Sequence, residues 1–219
     1  MCCLVIVFVA CLSNAVAARA AEIFAGSDAA SVNEAVLEGK IAAGDFEKFE
    51  NFLRNGEKTN QIYLASPGGD LNEAIKIGLL VRALKLWTIV PSKALTEQKY
   101  DSVVARHNLK DPKANYMCAS ACFFIFVAGV HRSSDDRGPP LLGIHRPSLA
   151  KNDLSGLNIG QAATADDRAR ATIVSYLKLM GVPSKYAEDM YSVPKDRIRW
   201  IRYDEFQTDF NGFVSAGRQ

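Results

Sequence analysis

Charge of one sign is not in excess here: 26 Lys and Arg stand against 24 Asp and Glu in 219 residues, a formal net charge of +2. That balance argues neither for a basic patch that binds nucleic acid nor for an acidic tail in a solvating role. A long hydrophobic run is also missing. The apolar stretch Leu4 to Leu12 falls well short of the about 20 residues a spanning helix needs. There is no internal repeat, no low-complexity tract and no linker, so one globular domain is the simplest organisation. Neither G-x-G-x-x-G nor G-x-x-x-x-G-K occurs, which removes the common dinucleotide and P-loop phosphate sites. Cysteine is scarce after the first segment: of five, Cys2, Cys3 and Cys11 lie at the start and only Cys118 and Cys122 follow. Two cysteines with the scattered His107 and His131 have no metal-ligand spacing, so no metal or cofactor is expected.

What is present begins with residues 1–20. Leu4 to Leu12 is followed by small residues, Ala15-Val16-Ala17 and Ala18-Arg19-Ala20, and no Asp or Glu occurs before Glu22. This reads as a secretory signal peptide with an A-x-A-like cleavage site, although no positive charge precedes Leu4. The remaining domain, 21–219, is then exported, periplasmic or secreted. An even number of cysteines suits an oxidising compartment. Cys118 and Cys122 flank Ser120, and either a disulfide or two small buried apolar side chains fits that spacing.

The pattern along 21–219 alternates strand and helix. Residues 31–41 read as a strand running into a turn at Gly39, and 44–55 as a helix with Phe46, Phe49 and Phe52-Leu53 on one face. Gln61 to Ala65 is a short buried strand, Asp70 to Leu86 a strongly periodic helix, and Trp87 to Val90 another strand. Pro91 to Tyr116 is a polar excursion, partly helical over 96–107. Ala121 to Gly129 is an apolar helix ended by glycine. Arg132 to Pro140 is a polar loop, Leu141 to His145 a strand and Pro147 to Leu157 a loop. Gln161 to Met180 is a long helix stopped by Gly181-Val182-Pro183, and Ser184 to Tyr191 a short one. Asp196 to Phe213 holds a further strand and helix. The expectation is an α/β fold with a mostly parallel sheet.

Three segments carry chemistry. Ser66-Pro67-Gly68-Gly69 lies between a strand and a helix; it is either an ordinary turn or one that aims free N–H groups at a developing oxyanion. Ser120 sits between Ala119 and Ala121 at the start of an apolar helix. It is either an N-cap or a nucleophile, with room beside it and a helix N-terminus favouring negative charge. A nucleophilic serine needs a base, and His145 is the histidine that ends an apolar strand. His107 and His131 lie in polar stretches and read as solvated. A carboxylate must orient the imidazole; Asp189, Asp196 and Asp204 are available, with Asp196 preferred and Asp189 in reserve.

These segments resemble the ClpP/crotonase superfamily, in particular exported, periplasmic ClpP-like serine peptidases. That family shows S-P-G-G after a strand, a serine between small residues opening a helix, and I-H-x-P. This chain has Ser66-Pro67-Gly68-Gly69, Ala119-Ser120-Ala121 and Ile144-His145-Arg146-Pro147. The separation of Ser120 from His145, 25 residues, also matches, and the resemblance covers about Val36 to Gly212. It implies a ClpP/crotonase-like fold with a long helix after the histidine strand. Ser120 would be the nucleophile, His145 the base, and Gly68 or Gly69 with Ala121 the oxyanion donors. Asp196, in Lys195-Asp196-Arg197-Ile198, would be the acid. Ala121-Cys122 departs from the methionine and glycine usual after the nucleophile, and Pro91–Tyr116 is longer than the family's segment. The substrate implied is a peptide or protein; the charge balance argues for no nucleic acid, and outside the cytoplasm no ATPase partner is expected. A homo-oligomer through Gln161 to Met180 is also implied. A silent binding or scaffold protein of the cell envelope is the alternative. A Ser–Lys dyad and a crotonase-type acyl-CoA enzyme are weaker readings, since no lysine is singled out and CoA substrates are cytoplasmic.

Overall fold

A computed structural model describes residues 20–26, 33–55, 58–136, 138–147 and 159–214. The expected signal peptide lies outside the described residues except for Ala20, and so does nearly all of the loop expected over 147–157. No helix of the described residues is long and apolar enough to cross a membrane.

The fold is α/β around a mostly parallel sheet. Strands β1 (Glu22–Ala25), β2 (Glu34–Glu38), β3 (Gln61–Ala65) and β4 (Trp87–Val90) lie side by side. β2, β3 and β4 are parallel, with Val36 opposite Tyr63 and Tyr63 opposite Ile89. A smaller sheet holds β5 (Cys118–Ala119). β6 (His131–Ser134) extends the large sheet parallel to β4, while β7 (Leu142–Ile144) pairs parallel with β5. β8 (Arg199–Trp200) closes the small sheet and β9 (Gly212–Phe213) the large one, both antiparallel, as β1 is at the other edge.

Three of these strands depart from expectation. Residues 132–134, expected in a polar loop, belong to β6, and no strand is expected over β1 or β5. The sequence His131-Arg132-Ser133-Ser134 has no apolar alternation to read. Its strand conformation comes from partners on both sides and from the burial of Arg132, which donates to the Val127 and Met180 carbonyls.

The expected helices form where the periodicity put them. α1 is Asp45–Arg54, with Phe49 buried. α2 is Leu71–Ala83; Asp70 caps it by accepting from Glu73 N–H at 3.0 Å, and Ala74, Ile77, Gly78 and Val81 face inward at helical spacing. The excursion forms α3 (Glu97–Arg106) and α4 (Pro112–Asn115). It covers the sheet face opposite the main core, where Val103 and Leu109 join Val36, Tyr63 and Ala65. α5 (Ala121–Phe126) is buried along its whole length, as a helix apolar on all sides must be. It ends at Phe126, and Gly129 does not adopt a positive φ. A side chain at Gly129 would collide with Thr88, so close packing rather than capping requires glycine there. α6 (Ile159–Leu179) docks through Ile173, Tyr176 and Leu177, and α7 (Lys185–Ser192) follows it. The tail adds α8 (Tyr203–Glu205) and a π-helical turn over Phe206–Phe210.

His107 is not solvated. It is 3% exposed, with its Nδ1 2.6 Å from Glu34 Oε1 and its ring stacked on Tyr63 at 3.7 Å. His131 is half-buried between Trp87 and Phe213. Both lie in locally polar sequence, and both are covered by residues remote in the chain.

Candidate active site

The site is built where strands from both sheets end on the same side. The large and small sheets are joined by a parallel bridge between Ser66 and Cys118: Ser66 N–H donates to Met117 O at 2.6 Å and Ala119 N–H to Ser66 O at 3.0 Å. β3, β5 and β7 therefore run in one direction. The segments that follow them are Ser66–Gly69, Ser120 and His145. The carboxyl ends of parallel strands are where α/β sheets present ligand sites. Ser120 N–H donates to Gly143 O at 3.0 Å, which ties the serine turn to the histidine strand.

Ser120 adopts φ 57° and ψ −122°, and its side chain caps nothing. A positive φ is costly for a residue with a Cβ and persists only where the surroundings impose it. The N-cap reading thus fails. The turn is clamped by the Cys118–Cys122 disulfide, whose Cα atoms are 5.2 Å apart with Ser120 between them. It is also clamped by Gly68: a Cβ there would lie 2.6 Å from both Ala119 O and Ser120 Cβ. Glycine at 68, with φ 98°, is required by close approach as well as by conformation.

The expected oxyanion donors divide. Gly68 N–H donates to Ser66 Oγ at 3.1 Å. Gly69 N–H and Ala121 N–H donate to no acceptor among the described residues. Gly69, Ser120, Ala121 and His145 line one small cleft of about 30 Å³, whose apolar side includes Leu71 and Met190. Ser66 is the residue sequence reasoning passed over. A serine two residues before the glycine whose N–H it accepts is the signature of a local side-chain turn, which would have singled out Gly69 as the free donor.

His145 is half-buried, and its Nδ1 is 2.9 Å from Arg146 O. Arg146 is itself held by Asp166 at 3.1 Å and by Val193 O, which accepts from its N–H. No hydrogen bond joins Ser120 to His145 among the described residues. Asp196 is brought to neither: it is exposed on the turn closed by Arg197 N–H and Pro194 O. Asp189 pairs with Arg199 at 3.2 Å, and Glu205 shares that guanidinium at 2.6 Å. The described residues contain no cluster of three His, Cys, Asp or Glu side chains suited to a metal ion.

No family model matches this chain, and no curated protein matches it. Among solved structures, a mutant of the 1510-N membrane-bound stomatin-specific protease is similar. It is 16% identical, with 76% of this chain and 70% of that chain covered and a TM-score of 0.44.

Proposed function

We propose that this protein is an exported serine peptidase with a ClpP/crotonase-like fold, acting on peptides or proteins without a metal, a cofactor or an ATPase partner. One observation carries the reading. A serine forced into positive φ, a histidine and two undonated backbone N–H groups line the same cleft. In the reaction Ser120 Oγ attacks the substrate carbonyl and His145 Nε2 takes its proton. Gly69 and Ala121 N–H groups receive the negative charge on the carbonyl oxygen. The Nε2 atom is the one left to act as base when Nδ1–H is directed at Arg146 O. Asp196 is the acid the resemblance implies. For that role it would replace Arg146 O as the acceptor of Nδ1–H, through a shift of the 194–198 turn. Self-association through α6, where Val174 and Leu179 are exposed, belongs to the same proposal.

The test is labelling of the purified protein with a fluorophosphonate, beside Ser120→Ala and His145→Ala. Labelling of the wild type alone is the expected result. A folded wild type that does not label would overturn the mechanism. The second reading, a silent binding or scaffold protein of the cell envelope, is favoured by the missing Ser120–His145 hydrogen bond. It expects no labelling under any condition.

A further inference from the structure

A second polar site lies at the β6–β9 edge of the large sheet, shares no lining residue with the Ser120 cleft, and does not depend on the peptidase reading. Arg132 is 1% exposed. It donates to Val127 O and Met180 O, and its Nε has no partner although it is sealed from solvent. Arg82 donates to the same two carbonyls, at 3.3 and 3.2 Å. Neither guanidinium has a carboxylate partner among the described residues. Burial, and next the charge of Arg82, pull Arg132 down to about 9. Buried charges are ordinarily paired, so two cations on two neutral acceptors leave positive charge unanswered.

Arg132 lines a cleft of about 390 Å³ together with Lys178, Thr208 and Asn211. Lys178, at the end of α6, makes no ion pair among the described residues. Asp209 is the acid in this lining, and its carboxylate is occupied by Lys185 at 2.7 Å and Tyr186 at 2.6 Å. The volume falls within the range of small-ligand sites. The lining offers a buried guanidinium, an ammonium, a hydroxyl and an amide. This is a donor set for an oxygen-rich anion.

We propose that this cleft binds a small oxyanion, a phosphate or carboxylate group, with Arg132 as its buried anchor and Lys178 as its second contact. The anion supplies the negative charge that the interior withholds from Arg132.

The experiment is thermal unfolding and calorimetric titration of the full chain with inorganic phosphate, and separately with acetate, at ionic strength held constant with sodium chloride. Saturable stabilisation is expected, weakened about threefold or more in Lys178→Ala and abolished in Arg132→Gln. A response to phosphate alone assigns a phosphate group; a response to acetate alone or to both equally assigns a carboxylate-sized oxyanion. If Arg132→Gln fails to fold, Lys178→Ala decides. No saturable response above the chloride control overturns the proposal, and so does a response unchanged in Lys178→Ala.

Discussion

Replacing Gly68 by alanine separates the geometry of the serine turn from the general cost of left-handed backbone. Gly44 and Gly68 have similar φ, 91° and 98°. At Gly44 a Cβ meets nothing within 4 Å, whereas at Gly68 it lies 2.6 Å from Ala119 O and Ser120 Cβ and 2.9 Å from Ala121 N. Gly44→Ala should therefore lose only the conformational term, about 1 kcal/mol. Gly68→Ala adds an overpacking term of about 1–3 kcal/mol. For a chain of this size each kcal/mol lowers Tm by about 2–4 °C, so the two variants should differ by roughly 2–12 °C. The collision also moves Ser120 and Ala121, and a displacement of about 1 Å can cost about 100-fold in rate. Gly68→Ala should label with a fluorophosphonate at least about 100-fold more slowly than Gly44→Ala. Equal Tm values would refute the packing argument. Equal labelling rates in two folded variants would refute the claim that Gly68 sets the serine's position.

Four further outcomes are expected. Ser66→Ala releases the Gly68 N–H from its acceptor and should lower stability by about 1 kcal/mol, read by urea unfolding. Replacing Cys118 and Cys122 by serine should cost roughly 2 kcal/mol for so short a ring and slow labelling by relaxing the turn; unchanged values would make the bridge incidental. His107→Ala strips Glu34 of a buried partner and Tyr63 of its stacking face, a loss of about 3 kcal/mol. His145→Ala, half-buried, should stay within about 1 kcal/mol of wild type, and the ratio of the two urea midpoints checks this. Burial, followed by the Asp135 charge, raises Tyr63 and Tyr116 above the ordinary tyrosine range. Their contribution to stability is then fully present below about pH 10, the unfolded value, and is lost as pH rises through the raised folded values. Tyr63→Phe should flatten the alkaline fall in urea midpoint between pH 9 and 11, and an unchanged slope would remove these tyrosines as its source.

The parts legible in the sequence were those whose signal is local. The Ser66–Gly69 turn, the small residues about Ser120, the histidine at a strand end and the periodicity of α2 and α6 each lie within a few residues. What was illegible depends on distant partners. β6 is a strand because β4 and β9 pair with it, and nothing in His131–Ser134 announces that. The burial of His107 is decided by Glu34 and Tyr63, far earlier in the chain. Asp196 matched a motif in sequence, yet the Arg146 carbonyl occupies the position at His145 Nδ1 that the motif reserved for it.

The bridge from Ser66 to Cys118 has a consequence for the nascent chain. Residues 66–69, 120–121 and 143–145 are strangers until two sheets are laid side by side, so no fragment shorter than the 80 residues from Ser66 to His145 contains the assembled cleft. Under the peptidase reading, a chain still being translocated would carry all the ingredients of a hydrolase and none of its activity. Competence would arrive abruptly, as a property of the finished topology.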